Sequence, residues 1–298
     1  MQLRGSITAL ATPFTLAGGI DFAALRAMIE RQIAAGTRAL VIAGSTGEAA
    51  MLAEDEYRAL LSQAVDMVAG RIPVLAGSGQ SGTARSIAQT RLARDCGIAA
   101  ALVVTPPYVR PTQAGLAAHY RAVAAEGGLP LLLYNVPGRT GVDLLPETVA
   151  ELASVPGIIG IKEAVPEAAR IDALLPLRRD GFVVLSGDDP TALRSLLQGA
   201  DGVVSVASNA VPAAFARLCN LAAAGDADGA RALDQALRAL YDFLGCAPNP
   251  IPLKAVLAEL GLCEDALRLP LLPLTAALRG GLDALAAAVG ELDARSMA

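Results

Sequence analysis

The chain has 298 residues, of which 54% are hydrophobic and 18% charged, with a formal net charge of −5. This length suits one large domain, alone or with an appendage, and the absence of any Lys/Arg block argues against nucleic acid and anionic membrane as partners. No charge-free stretch reaches the ~18 residues a spanning helix needs, so the apolar excess points to buried or intersubunit surface and favours an oligomer.

The N-terminal MQLRGSITALATPF is apolar but soon reaches Pro13 and lacks the cleavage pattern of a signal peptide. Strand-like apolar runs then recur along the chain: SITALATPF (6–14), ALVIAG (39–44), IPVLAG (72–77), AALVVTP (100–106), LPLLLYNV (129–136), IIGIKEA (158–164), FVVLSG (182–187) and GVVSV (202–206). Helix-period segments lie between them, as in FAALRAMIERQIAA (22–35) and EYRALLSQAVDMVA (56–69). Strict alternation implies a parallel sheet, and eight units favour an α/β fold of the closed (β/α)8 TIM-barrel type. An open doubly wound sheet is the rival. After about residue 224 the alternation stops, and Leu233, Leu237, Leu240 and Leu244 follow at helical spacing. The expected organisation is a catalytic barrel over 1–224 and a C-terminal helical domain over 225–298, with PNPIP (248–252) as a stiff turn between helices.

Several features resemble chemistry but have plainer explanations. GSGQSG (77–82) fits G-x-G-x-x-G, yet the next strand ends in TPPY with no acid for a ribose, so a glycine-rich barrel turn accounts for it. In SGDDP (186–190), Asp189 before Pro190 reads as a helix-capping carboxylate. His119 is the single histidine, which rules out a multi-histidine metal site. The cysteines at 96, 219, 246 and 263 form no CxxC pair, and they suit core positions in a reducing compartment, the cytosol.

What remains collects at the C-terminal ends of the strands, where barrels of this type hold their active sites. Ser45 and Thr46 follow the second strand, Tyr108 the fourth, Tyr134 and Arg139 the fifth, and Lys162 sits on the sixth. An amine in an apolar strand loses hydration, which is how imine-forming lysines are activated. Glu163 points to the opposite face and is a poor partner for it. The Tyr134 phenol can move protons, the GSTGE turn (44–48) offers N–H groups and hydroxyls to a carboxylate, and Arg139 on its loop can bind a second carboxylate bidentately. Together they describe a site for a small 2-oxo acid.

These segments, in this order, resemble the dihydrodipicolinate synthases within the N-acetylneuraminate lyase superfamily of class I pyruvate aldolases. GSTGE resembles the family's G-[TS]-T-G-E turn, YNVPGRTG (134–141) its Y-N-V-P-x-R-T-G segment, and GIIGIKEA (157–164) the stretch with its Schiff-base lysine. LSGDD (185–189), GVVSV, PNPIPLK (248–254) and LRLPLLP (267–273) follow as expected. The resemblance implies that Lys162 condenses with pyruvate and that Tyr134 is the general acid/base. It implies a proton relay of Ser45, Tyr134 and Tyr108, the last entering from a neighbouring subunit. Thr46 would hold the pyruvate carboxylate and Arg139 that of L-aspartate 4-semialdehyde, with Gly187 and Val206 as further substrate contacts. The implied product is 4-hydroxy-tetrahydrodipicolinate, on the route to diaminopimelate and lysine, made by a homotetramer of tight dimers with no metal or organic cofactor. Another pyruvate aldolase, acting on a sugar acid or hydroxylated oxo acid, and a catalytically silent oxo-acid-binding paralogue are the alternatives.

The chain departs from the family's commoner pattern in three places. Ser45 replaces threonine, in a turn form also found in sialic-acid-type lyases; TPPYVRP (105–111) replaces T-P-Y-Y-N-[KR]-P; and AVPEAAR (164–170) replaces an A-T-G segment. Many enzymes of this family are inhibited by lysine, and the corresponding cleft would be lined by Ala49, Glu54, Tyr57, Ser81, Arg85 and Pro107. Arg85 stands where an acid is expected, which predicts insensitivity to lysine.

Overall fold

The computed structural model describes residues 3–297. Eight strands form one closed parallel barrel: β1 (Gly5–Ala9), β2 (Ala39–Ile42), β3 (Val74–Gly77), β4 (Ala100–Val104), β5 (Leu131–Asn135), β6 (Ile158–Glu163), β7 (Val183–Ser186) and β8 (Gly202–Ser205). Each pairs with the next, and β8 closes on β1 through Gly5↔Gly202 to Thr8↔Ser205. The open-sheet rival is thereby excluded. Barrel helices are α1 (Phe22–Ala34), α2 (Glu54–Val68), α3 (Thr83–Asp95), α4 (Gln113–Glu126), the one-turn α5 (Pro137–Thr140), α6 (Pro146–Ala153), α7 (Ala168–Leu174), α8 (Asp189–Gln198) and α9 (Pro212–Ala223). Then come α10 (Ala227–Leu244), α11 (Ile251–Glu259) and α12 (Leu282–Ser296).

The strands read as unbroken apolar runs because both of their faces are covered. Ile7, Val41, Leu75, Leu102, Leu132, Leu185 and Val204 fill the barrel interior. Leu40, Ile42, Val103, Leu133, Ile161 and Val184 face the helices instead. The strands are shorter than the runs, since residues such as Leu10–Phe14, Ala43–Gly44 and Thr105–Pro106 continue into loops at the C-terminal mouth. The α10 seam packs on α8 and α9, with Leu237 and Leu240 buried and Leu233 and Leu244 partly so. The proline-rich turn ends earlier than expected: Ile251 and Pro252 already belong to α11, where the first turn tolerates proline. Among the described residues no helix is long and apolar enough to cross a membrane.

Candidate active site

The direction of Lys162 is set two residues before it. β6 pairs with β5 as Leu131↔Ile158 and then Leu132↔Gly160, so Ile159 is an extra residue in β6. Ile158 and Ile161 both face the helices although they are three apart, an odd spacing that a regular strand forbids. The bulge reverses the alternation and sends Lys162 into the barrel, opposite Tyr134. Glycine is required at the bulge, because a Cβ on Gly160 would lie 2.4 Å from the Val183 carbonyl oxygen. Gly187, at the end of β7, then leaves room for the lysine stem: a Cβ there would lie 2.7 Å from Lys162 Cε.

Lys162 is 4% exposed and Tyr134 7%. The amine sits 4.2 Å from the Tyr134 ring centroid and has no ion-pair partner among the described residues. In front of it opens a cavity of about 270 Å³, lined by Ser45, Thr46, Tyr134, Arg139, Lys162, Gly187, Val206 and Asn249. A neighbouring cavity of about 340 Å³ shares Gly44, Ser45, Tyr134, Arg139 and Asn249 with it and extends the mouth toward Ala49 and Pro107. Thr46 Oγ1 accepts a bond of 2.9 Å from Asn249 Nδ2, while Arg139 Nη2 donates to the Asn249 carbonyl at 3.1 Å. Asn249 thus ties two candidate anion holders together from the C-terminal segment. Its proline-rich surroundings had suggested only a turn.

Seven of the eight residues singled out in the sequence therefore line one cavity. Tyr108 does not. It is 92% exposed, with a left-handed backbone (φ 75°), and it projects away from the cavity of its own chain.

The GSTGE turn is held from behind by an ion pair that joins residues more than 200 positions apart. Glu48, with φ 56°, carries a buried carboxylate 2.7 Å from Lys254 Nζ and accepts the Arg268 N–H at 3.0 Å. Gly47 is tight as well, since a Cβ would come within 3.1 Å of Leu10 O and Ala43 N. GSGQSG keeps its barrel-turn reading for the same reason: a Cβ on Gly77 would lie 2.2 Å from Ala43 O, and one on Gly79 2.5 Å from Val104 N.

Asp189 does not cap α8, contrary to what its place before Pro190 suggests. Asp188 occupies the N-cap position of α8, where its carboxylate accepts from Thr191 Oγ1 at 2.7 Å, and Asp189 is already helical. Asp189 instead reaches the end of β8, accepting the N–H groups of Val206 (3.0 Å) and Ala207 (2.7 Å). Burial pushes its carboxyl up from the ordinary range. His119 is buried beside Thr83, outside both cavities, with burial lowering it to about 4. Glu163, facing the helices, is pushed up to about 7 by burial, against the pull of the Val165 N–H, the Asn135 amide and Arg170.

An amine free of ion pairs among the described residues, at the C-terminal mouth of a parallel barrel beside a phenol and a hydroxyl-rich turn, is the arrangement that lysine-dependent aldolase-type enzymes require. The dihydrodipicolinate synthetase family model matches residues 2–289, and the chain belongs to that family. The 4-hydroxy-tetrahydrodipicolinate synthase of Xanthomonas axonopodis pv. citri (strain 306) is 59% identical over 296 residues, covering 99% of this chain and 98% of that protein. Among solved structures, the chloride-inhibited dihydrodipicolinate synthase of Acinetobacter baumannii complexed with pyruvate is 42% identical with a TM-score of 0.94, over 97% of this chain and 99% of that one. A monomeric dihydrodipicolinate synthase variant matches with a TM-score of 0.94 and 38% identity, over 97% of each chain.

Proposed function

We propose that the chain condenses pyruvate with L-aspartate 4-semialdehyde to give 4-hydroxy-tetrahydrodipicolinate and water, in the cytosol, as a 4-hydroxy-tetrahydrodipicolinate synthase. The observation that carries this reading is Lys162, an amine without an ion pair facing a small cavity beside Tyr134. Its nitrogen adds to the pyruvate ketone, and loss of water gives an imine. Removal of a methyl proton gives the enamine, whose carbon adds to the aldehyde. The amine of the semialdehyde then displaces Lys162, closing the ring and freeing the enzyme. Each step is an addition, an elimination or a proton transfer, so no redox cofactor is called for.

Tyr134 is the proton carrier for these steps, with Ser45 beside it in the cavity. Thr46, whose hydroxyl Asn249 orients, binds the pyruvate carboxylate. Arg139 binds the carboxylate of the semialdehyde, and Gly187 and Val206 shape the wall. Tyr108 would complete the relay of a second copy. Its exposure supports this, together with the exposed Val109, Leu269 and Leu272, as expected of a tight dimer within a homotetramer. An aldolase for sugar acids would share the lysine and tyrosine, but it would have no use for a cation at Arg139. Purified protein given pyruvate and a panel of aldehydes tests the reading: turnover must be best with aspartate semialdehyde, and preference for a polyhydroxylated acceptor would overturn it.

A further inference from the structure

Tyr134 and Lys162 are cross-strand partners, and so are the residues that follow them, Asn135 and Glu163. The first pair points into the barrel and the second outward, because neighbours on a strand face opposite ways. Asn135↔Glu163 is also the last pair of the β5–β6 ladder. Beyond it Val136 enters α5, and Ala164 enters the loop before α7. A ladder end frays unless something closes it.

Here side chains close it. Asn135 Nδ2 donates to both Glu163 oxygens at 3.1 Å and to Asp143 Oδ1 at 2.7 Å. Asn135 Oδ1 accepts the Leu144 N–H at 2.9 Å, and Glu163 Oε1 accepts the Val165 N–H at 2.8 Å. Arg170 joins the two acids, bonded to Asp143 at 2.9 and 2.5 Å and lying 3.6 Å from Glu163. Both Asn135 and Glu163 are buried.

We propose that Asn135 and Glu163 are positioning residues, a clamp behind the site that keeps Tyr134 and Lys162 in register while Glu163 is ionised. This rests on the imine reading of Lys162. Among the described residues, the groups bonded to or paired with the Glu163 carboxyl are donors or a cation: the Asn135 amide, the Val165 N–H and Arg170. A carboxylate satisfies all of them, whereas a protonated carboxyl turns one acceptor oxygen into a donor facing donors. The charged groups around it are Arg170 from α7 and Asp143 from the loop before α6, while its neighbour on β7, Ser186, is uncharged. Since burial places Glu163 near neutrality, the clamp loosens as pH falls through about 7. A misplacement of about 1 Å costs on the order of 100-fold in rate, so loosening should slow imine formation roughly 10- to 100-fold.

The test mixes enzyme with saturating pyruvate at set pH from about 5.5 to about 8.5, quenches timed samples into borohydride and measures the Lys162 adduct by mass. The parent should slow as pH falls through about 7. Glu163→Gln, uncharged at every pH, should be slow throughout and lack the inflection, with half-saturation by pyruvate unchanged. Asp143→Asn removes a like charge and releases Arg170 toward Glu163, so the inflection should move to lower pH. A flat parent profile, a parental profile in Glu163→Gln, or an unmoved inflection in Asp143→Asn would each overturn the clamp. If Glu163→Gln does not fold, the parent and Asp143→Asn decide. A parent that forms no adduct at any pH overturns the proposed function itself, and the clamp with it.

Discussion

Lys162 and Lys254 are the only lysines in the sequence, and both are buried, at 4% and 0% exposure. Both amines lie 4.2 Å from an aromatic centroid, Tyr134 for one and Phe14 for the other. The ring is therefore not what separates them. Lys254 also pairs with the Glu48 carboxylate and donates to the Ala266 carbonyl, each at 2.7 Å, so two of its three donors are committed. Burial lowers its affinity for a proton, and Glu48 works against that shift. Lys162 has no such carboxylate among the described residues, only a cavity in front of it. An amine held by a carboxylate and a carbonyl fastens two segments together; one left unengaged over a cavity is available to react.

The largest expected effect breaks the comparison directly. Replacing Lys162 with arginine keeps a cation but removes the amine, and should cost on the order of 10^4- to 10^6-fold in turnover, as loss of a covalent nucleophile does. In the parent, pyruvate and borohydride should add one reduced-pyruvate mass to Lys162 and none to Lys254. Label on Lys254, or an unchanged mass, would sink the distinction between them. The next effect is on stability. Lys254→Met leaves the Glu48 carboxylate buried and unpaired, which should lower unfolding free energy by about 3–5 kcal/mol. Adding Glu48→Gln should restore part of that, and any folded double variant should still trap pyruvate at Lys162. A Lys254→Met variant with parental denaturation midpoints would show that the ion pair fastens nothing.

The same contrast holds for the acids. Glu48 meets its cation at 2.7 Å, whereas the nearest cation to Glu163 is 3.6 Å away. Glu163 has a folded pKa of about 7 against an unfolded value of 4.5, so between those values the folded state holds more protons. Stability then falls as pH rises through that window, by on the order of 3 kcal/mol at full extent. Glu163→Gln lacks the transition, and its denaturant midpoint relative to the parent should improve between about pH 5 and about pH 8. A constant difference across that range would show that Glu163 does not titrate there. Ionisation that tightens the site thus weakens the fold, as is common for functional groups.

The eight strands were legible because a barrel covers both strand faces with apolar atoms, leaving long runs in the sequence. The inward direction of Lys162 was not. The apolar run IIGIKEA looks like one regular strand, whereas the structure has an extra residue at Ile159. Gly160 within the run was the available sign, since an isolated strand glycine often marks a bulge. Asn249 bonds Thr46 across 203 positions, and Lys254 pairs with Glu48 across a similar gap, distances over which spacing carries no information. Asp188 and Asp189 are locally interchangeable before Pro190, so only the fold decides which takes the cap position. Strand ends converge on the mouth, but the loop of Tyr108 turns it outward, as a residue meant for a neighbouring copy's site would be.

Arg139 offers a smaller way to sharpen the comparison, as a cation with one bonded partner among the described residues, the Asn249 carbonyl at 3.1 Å. If its remaining donors serve the second substrate, Arg139→Ala should lose about 1.5–3 kcal/mol, or roughly 10- to 150-fold, in kcat/KM for aspartate semialdehyde. Pyruvate trapping at Lys162 should stay at the parental rate. Equal use of the semialdehyde by variant and parent would remove Arg139 from its assigned role and favour a sugar-acid substrate.

The smallest expected effect concerns free lysine, a third amine that needs partners of its own. Of the cleft residues expected to meet it, Tyr57 is buried, with its hydroxyl donating to the Gly77 carbonyl at 2.9 Å, so the phenol is turned into the core. Ser81 already donates to the Pro107 carbonyl at 3.0 Å, and proline has no hydroxyl to add. Arg85 is exposed at the position where an acid is expected to meet the α-ammonium. Two like charges about 4 Å apart near a surface repel by on the order of 1–4 kcal/mol, which raises a dissociation constant up to several hundredfold. Glu54, also exposed, can attract the side-chain ammonium, but a single exposed pair contributes only about 0–1 kcal/mol. Turnover should therefore change little as lysine is titrated to millimolar concentrations, and Arg85→Glu should introduce sensitivity by replacing repulsion with attraction. Saturable inhibition of the parent by sub-millimolar lysine would refute this, because the amine would then have found partners that Arg85 does not repel.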